Sequence, residues 1–143
     1  MKERSLIDYD DQMVYALRIL QRFPEVRSHF QESYSYFCVD EAQDTSKIQH
    51  DMIRLLSEKS GNLFMVGDED QSIYGFRAAY PEALVDFEAV HPGASVLLME
   101  SNYRSGQQIV EAADRFIQKN VARHEKHMTP WKDMEGKVQR ITL

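Results

Sequence analysis

One cysteine, Cys38, stands among the 143 residues. An intramolecular disulfide is thereby excluded, and a lone thiol fits a reducing compartment such as the cytoplasm. Positive charge is also scarce: 17 Lys and Arg against 23 Asp and Glu leave a net charge of −6. A chain that holds nucleic acid through its overall field would carry a basic footprint, so any such contact here must be local. Apolar runs are short, and none approaches the ~20 residues of a membrane-spanning helix. The opening MKERSLIDYDDQ has no apolar core of the secretory kind. Only six glycines occur, and nowhere do they form G-x-x-x-x-G-K-[ST], the loop whose backbone amides and lysine cradle the β- and γ-phosphates of a nucleotide. There is no internal repeat and no low-complexity segment. What remains, at 43% apolar residues, suits about one soluble globular domain, expected in the cytoplasm.

Hydrophobic periodicity divides the chain into helices and strands in alternation. Met13, Leu17 and Leu20 recur at helical spacing, predicting an amphipathic helix over residues 10–22, with a weaker helical segment after Pro24 over 26–30. Tyr36-Phe37-Cys38-Val39 is a short unbroken apolar run, the pattern of a strand buried on both faces. Ser46-Lys47-Ile48-Gln49 has the spacing of a capping box ahead of a helix carrying Ile48, Met52, Leu55 and Leu56, with Gly61 as its stop. Leu63-Phe64-Met65-Val66 is a second buried strand, and Pro81-Glu82 opens another helix. Pro92-Gly93 marks a turn, and Val96-Leu97-Leu98-Met99 reads as a third strand. Ser105 to Gln108 again has capping-box spacing, before a helix expected to bury Ile109, Ala113, Phe116 and Ile117. The alternation predicts an α/β fold, a parallel sheet with flanking helices and right-handed crossovers. Beyond residue 125 the text turns polar and irregular, so 1–125 is expected to be one body and 126–143 a linker with the first strand of the next.

In such a sheet, ligands sit beyond the carboxyl ends of the strands. The first strand runs into Asp40-Glu41-Ala42-Gln43-Asp44, the second into Gly67-Asp68-Glu69-Asp70-Gln71, and the third toward Asn102-Tyr103-Arg104-Ser105. An apolar strand ending in Asp-Glu can hold the water shell of Mg²⁺ with the Asp and deprotonate an attacking water with the Glu. An amide such as Gln71 can sense a γ-phosphate, and a planar, permanently charged Arg104 suits the charge that develops during phosphoryl transfer. Asp40-Glu41 alone would also serve as an acidic helix cap.

Taken together, VDEAQDT (39–45), GDEDQSIYGFRAA (67–79) and NYRS (102–105) resemble motifs II, III and IV of UvrD/Rep/PcrA-type superfamily-one helicases, in order. IDYDDQM (7–13) resembles the segment ahead of motif II, and HEKHMTPWKDMEGKV (124–138) the passage into the second motor domain. The resemblance covers nearly the whole chain. It implies part of a RecA-like P-loop NTPase motor domain, with Asp40 and Glu41 at Mg²⁺, Glu41 as catalytic base, Gln71 and Arg104 at the γ-phosphate, and Tyr103 on the adenine of ATP. It also implies that Tyr74, Phe76 and Arg77 face single-stranded DNA, the rings acting as stacking platforms. Phe76 stands where relatives often have Trp, and Ala78 where Gly is frequent. With no phosphate loop, the chain is expected to be a piece of a longer protein and inactive toward ATP by itself.

Other readings of these residues are weaker on chemical grounds. A calcium loop at 68–79 lacks its turn glycine, replaced by Ile73, and its closing Glu, replaced by Ala79. His124 and His127 lie three apart with no third ligand in view, so a zinc site is not expected. Cys38 is expected as core filling, Trp131 at a domain junction, and Tyr74 and Phe76 would serve equally as core edge without the motif around them. Two further functions fit the same motifs: the motor of a RecB- or AddA-like helicase–nuclease, decided by what is encoded downstream of Leu143, and a degenerate DNA-repair interaction module. Intact Asp40, Glu41, Gln71 and Arg104 weigh against the last.

Overall fold

A computed structural model describes residues 7–72, 79–121 and 123–131. The chain divides into two compact units, Met1–Leu84 and Val85–Leu143.

In the first unit, helices α1 (Tyr9–Arg22) and α2 (Pro24–Ser33) precede strand β1 (Phe37–Val39), helix α3 (Lys47–Ser57) and strand β2 (Leu63–Met65). Local chemistry sets each boundary. Asp8 caps α1, accepting the Asp11 amide, while the Asp11 carboxylate accepts the Asp8 amide in return. Pro24 lacks an amide hydrogen and fixes φ, so it ends α1 and begins α2. Ser46 and Gln49 form the expected reciprocal cap of α3. After α3, Gly61 takes φ +67 and returns its amide to the Ser57 carbonyl. The three helices pack on one another, and Gln31 Nε2 pins α2 to α3 by donating to the Leu55 carbonyl at 2.7 Å.

β1 and β2 pair in parallel, with Phe37, Cys38 and Val39 opposite Leu63, Phe64 and Met65. Parallel neighbours need a crossover, and α3 supplies it. The expectation of two buried faces is not met. Phe37, Val39, Leu63 and Met65 are half-buried, whereas Cys38 is exposed and Phe64 is 60% exposed. Cys38 is therefore not core filling. An unbroken apolar run records a demand for cover on both faces, and among the described residues only one face of this sheet has it.

Two short helices, α4 (Glu82–Val85), at the end of the first unit, and α5 (Phe87–Val90), in the second, replace the single helix expected after Pro81. Strand β3 (Ser101–Asn102), helix α6 (Gln107–Ile117) and strand β4 (Thr129–Pro130) follow. β3 pairs with β4 in parallel. The strand expected at 96–99 is not formed, and Leu97 and Met99 are largely exposed. A ladder forms where a partner offers matching groups: the Glu100 and Asn102 carbonyls accept the Thr129 and Trp131 amides at 2.7 and 2.9 Å.

The second capping box also fails to form. Asn102 Oδ1 accepts the amides of Arg104 and Ser105 at 3.0 and 2.8 Å, so Ser105 belongs to a side-chain turn and Gly106 becomes the cap. α6 buries Val110, not the expected stripe; Ile109, Ala113 and Phe116 are exposed. The face that packs on the chain's return carries Asp114, whose carboxylate accepts the Met128 amide at 2.9 Å. Val110 and this polar anchor, one turn apart, thus share one face of the helix.

Buried apolar side chains among the described residues are Leu20, Ala42 and Val110. Such a small interior leaves most packing to half-buried groups. The chain is α/β, with helices around short parallel pairs.

Candidate active site

β1 ends at Val39, and a 3-10 turn, Ala42–Asp44, follows after Asp40 and Glu41. Asp40 Oδ1 accepts the amide of Glu41 at 2.9 Å. Glu41 itself adopts φ 50 and ψ 42, a left-handed conformation that costs a residue with a Cβ roughly 1–2 kcal/mol. Among the described residues it is the one non-glycine with positive φ. Strain of this kind persists where the surroundings over-determine it. Here they do: the following 3-10 turn, Ala42–Asp44, is held by the Ala42 amide donating to the Val66 carbonyl at 3.0 Å, and Ala42 is wholly buried.

The strain delivers the Glu41 carboxylate to a specific partner. Gln43, 2% exposed, donates from Nε2 to Glu41 Oε2 at 2.7 Å. Its Oε1 accepts the backbone amide of Asp68 at 3.0 Å. Asp68 caps the second 3-10 turn, Glu69–Gln71, accepting the Asp70 amide at 3.2 Å, and its Oδ2 accepts from Gln71 Nε2 at 2.8 Å. A continuous relay therefore joins Glu41, Gln43, Asp68 and Gln71 across the carboxyl ends of β1 and β2. Ser72 Oγ adds a bond to the Gln43 carbonyl at 3.3 Å.

A second set of contacts supports the loop from below. The Thr45 hydroxyl donates to the Ala42 carbonyl at 2.6 Å and also meets His50 Nε2. His50 is buried, with its ring edge-on to Tyr80, and burial depresses its pKa while the Ala42 carbonyl pulls the other way. The 79–80 segment returns to this loop: Ala79 bridges Ser46, and the Tyr80 amide donates to the Thr45 carbonyl at 2.9 Å.

Residues 1–92 match the UvrD/REP helicase N-terminal domain. The chain belongs to the UvrD/REP helicase family. It is 38% identical over 142 residues to the ATP-dependent DNA helicase PcrA of Leuconostoc citreum, covering 99% of this chain and 19% of that protein. It is 39% identical over 126 residues to PcrA of Staphylococcus aureus, 88% of this chain and 17% of that protein. PcrA of Staphylococcus epidermidis is 36% identical over 139 residues, 97% of this chain and 19% of that protein. The chain thus spans about a fifth of the length of these UvrD/REP-family relatives.

Of the residues that the helicase resemblance singles out, the first unit links Glu41 to Gln71 through the relay, with Asp40 accepting the Glu41 amide beside it. Asp40, Glu41 and Gln71 are all exposed at its rim. Tyr103 and Arg104 belong to the second unit and are exposed; the Tyr103 ring lies 5.0 Å from that of Trp131. Tyr74, Phe76 and Arg77 lie outside the described residues. His127 contacts Asp114 at 3.2 Å, and the Met128 amide first, then the His127 ring, hold the Asp114 carboxyl below the usual carboxylate range. No His, Cys, Asp or Glu cluster of three or more capable of holding a metal occurs among the described residues. Gln43 and Asp68 were not singled out by sequence reasoning as site residues. A polar residue embedded between Ala42 and a turn of carboxylates is the signal that could have found Gln43.

Proposed function

We propose that this chain is part of a longer, cytoplasmic, ATP-dependent DNA helicase that translocates on single-stranded DNA in repair or replication. In that reading it supplies part of a RecA-like motor domain over 1–125, with 126–143 leading into a second motor domain. The observation that carries the proposal is the Glu41–Gln43–Asp68–Gln71 relay at two parallel strand ends, in a chain of the UvrD/REP family. The PcrA relatives are ATP-dependent DNA helicases by name.

The donors fit Mg²⁺, which takes one or two carboxylates and completes its shell with water and phosphate oxygens. Asp40 and Glu41 would hold it, and bound there it would neutralise phosphate charge. Asp40 Oδ1 and Glu41 Oε2 are already committed within the loop. Their other carboxylate oxygens are the ones suited to metal-bound water and to the attacking water. Glu41 then takes the water's proton as its oxygen bonds to the γ-phosphorus and ADP departs with the bridging oxygen. Gln71 and Arg104 contact the γ-phosphate, Arg104 offsetting the charge that develops. Tyr103 stacks on adenine, while Tyr74, Phe76 and Arg77 meet DNA. Exposed apolar side chains such as Phe64, Leu97 and Phe116 support the reading that further protein covers this segment.

The test is DNA-stimulated ATP hydrolysis by the longer protein. Glu41→Gln keeps the side-chain shape but accepts no proton, so turnover falls by about 10²–10⁴-fold while nucleotide binding persists. Arg104→Ala also slows turnover. Either variant retaining half of wild-type kcat removes its residue from the catalytic set.

A further inference from the structure

Gln43 has the burial of a core residue and the bonding of a site residue. It is 2% exposed, the largest side chain among the described residues with so little exposure, yet both ends of its amide are committed to groups of the candidate site. Nε2 faces the Glu41 carboxylate at 2.7 Å, and Oε1 faces the Asp68 N–H at 3.0 Å. The amide orientation is fixed by its partners: turned over, it would set oxygen against carboxylate and NH₂ against N–H. Gly67 leaves the room that Oε1 occupies, since a Cβ there would lie 2.9 Å from it. The Gln43 carbonyl also accepts from Ser72 Oγ, so backbone and side chain both tie to the loop that carries Gln71.

We propose that Gln43 is a positioning residue for hydrolysis: it fixes the rotamer of the Glu41 carboxylate and locks that carboxylate to the Gln71 loop. The proposal rests on Glu41 being the catalytic base. A strained left-handed residue with an exposed side chain has many rotamers open to it, and the buried amide selects one. Because the same amide holds the Asp68 N–H, and Asp68 holds Gln71, movement of the Gln71 loop cannot occur without disturbing the base. Gln43 touches neither nucleotide nor water in this scheme and acts only through Glu41.

Gln43→Glu in the longer protein keeps the shape and the bond from Asp68 but sets a carboxylate against Glu41 in place of the amide donor. DNA-stimulated kcat is expected to fall about 10–100-fold, the usual effect of losing a partner that orients a site group, with the KM for ATP unchanged within about twofold. In a Glu41→Gln background the same change is expected to cost less than about twofold in single turnover, because the group it positions is no longer a base. A folded Gln43→Glu protein with wild-type kcat, or an equal loss in both backgrounds, overturns the proposal while leaving Glu41 as base. Glu41→Gln with near wild-type kcat instead overturns the base itself, and the proposal with it. A reading that needs no change at Gln43 uses ¹⁵N-glutamine-labelled protein: Glu41→Ala must move the Gln43 side-chain amide resonance, and an unmoved resonance overturns the contact.

Discussion

Gly67→Ala perturbs the relay by a single methyl group. A Cβ at this position would lie 2.8 Å from Leu84 Cδ1, 2.9 Å from Gln43 Oε1 and 3.3 Å from Ala42 Cβ, all inside the ~3.5–4.0 Å of a relaxed carbon contact. The three neighbours differ in their freedom to yield. Leu84 Cδ1 is the tip of a half-buried side chain and can rotate away. Ala42 is wholly buried on a turn, and Gln43 Oε1 is held by the Asp68 amide. Overpacking of this kind costs roughly 1–3 kcal/mol. If Gln43 swings aside, the bond to Asp68 is lost as well, at roughly 0.5–1.5 kcal/mol. The sum is roughly 1.5–4.5 kcal/mol, equivalent to a fall in Tm of about 5–20 °C for a chain of this size.

Urea unfolding of the 143-residue chain followed by circular dichroism measures the penalty as a shift in midpoint at constant slope. Repeating it in a Gln43→Ala background isolates the contact with Oε1, because that atom is then gone. The penalty of Gly67→Ala should shrink there by about 1 kcal/mol or more. A Gly67→Ala chain within about 0.5 kcal/mol of wild type, or one with the same penalty in both backgrounds, would refute the packing described around Gln43.

Three other outcomes follow from the same residues. The 143-residue chain should show no ATP hydrolysis above buffer, with or without DNA, since carboxylates without oriented amides and a lysine repel phosphate; phosphate release abolished by Glu41→Ala would contradict this. His50, whose pKa is depressed by burial, favours the native fold in its neutral form, so its contribution is complete above the ordinary histidine value of 6.5 and is lost as pH falls through the lower folded-state value. Thermal melts between about pH 7.5 and 5.5 should therefore show a loss of stability that His50→Gln reduces, and equal slopes for both proteins would exclude His50 as the source. Phe76→Ala in the longer protein should remove a stacking platform worth about 1–3 kcal/mol per base, weakening DNA binding and DNA stimulation while sparing ATP binding, and Phe76→Trp should preserve both; a large drop in Tm with unchanged DNA affinity would make Phe76 core.

Legibility in the sequence followed the kind of force involved. Most local signals hold: the Ser46 and Gln49 cap, the Pro24 break and the glycine at 61 all act within a few residues of themselves, whereas the capping-box spacing at Ser105 yields to the turn made by Asn102. Strands β1 and β2 announced themselves as apolar runs, and the residues at their ends could be singled out from chemistry. What the sequence did not reveal depends on partners distant in the chain. The run at 96–99 is as apolar as β1, yet the ladder forms at 101–102, where 129–130 supplies the matching groups. The inward face of α6 carries Asp114, bound to the Met128 amide, beside Val110, and no hydrophobic period reports a polar anchor. Gln43 was hidden for the same reason. Its role as a bridge exists only once β1 and β2 lie side by side, and the left-handed turn at Glu41 is likewise a product of that closure.

The proposed motor is tested most directly by timing the longer protein's arrival at the end of single-stranded DNA. Oligonucleotides of increasing length carry a fluorophore at one end, and the signal is followed after ATP is added in stopped flow. Directed movement driven by hydrolysis at Glu41 predicts a delay that grows in proportion to length, disappears with a non-hydrolysable nucleotide, and disappears in Glu41→Gln although that variant still binds DNA and ATP. A delay independent of length in a protein that hydrolyses ATP would contradict translocation, and a length-dependent delay surviving Glu41→Gln would contradict the site assigned to drive it.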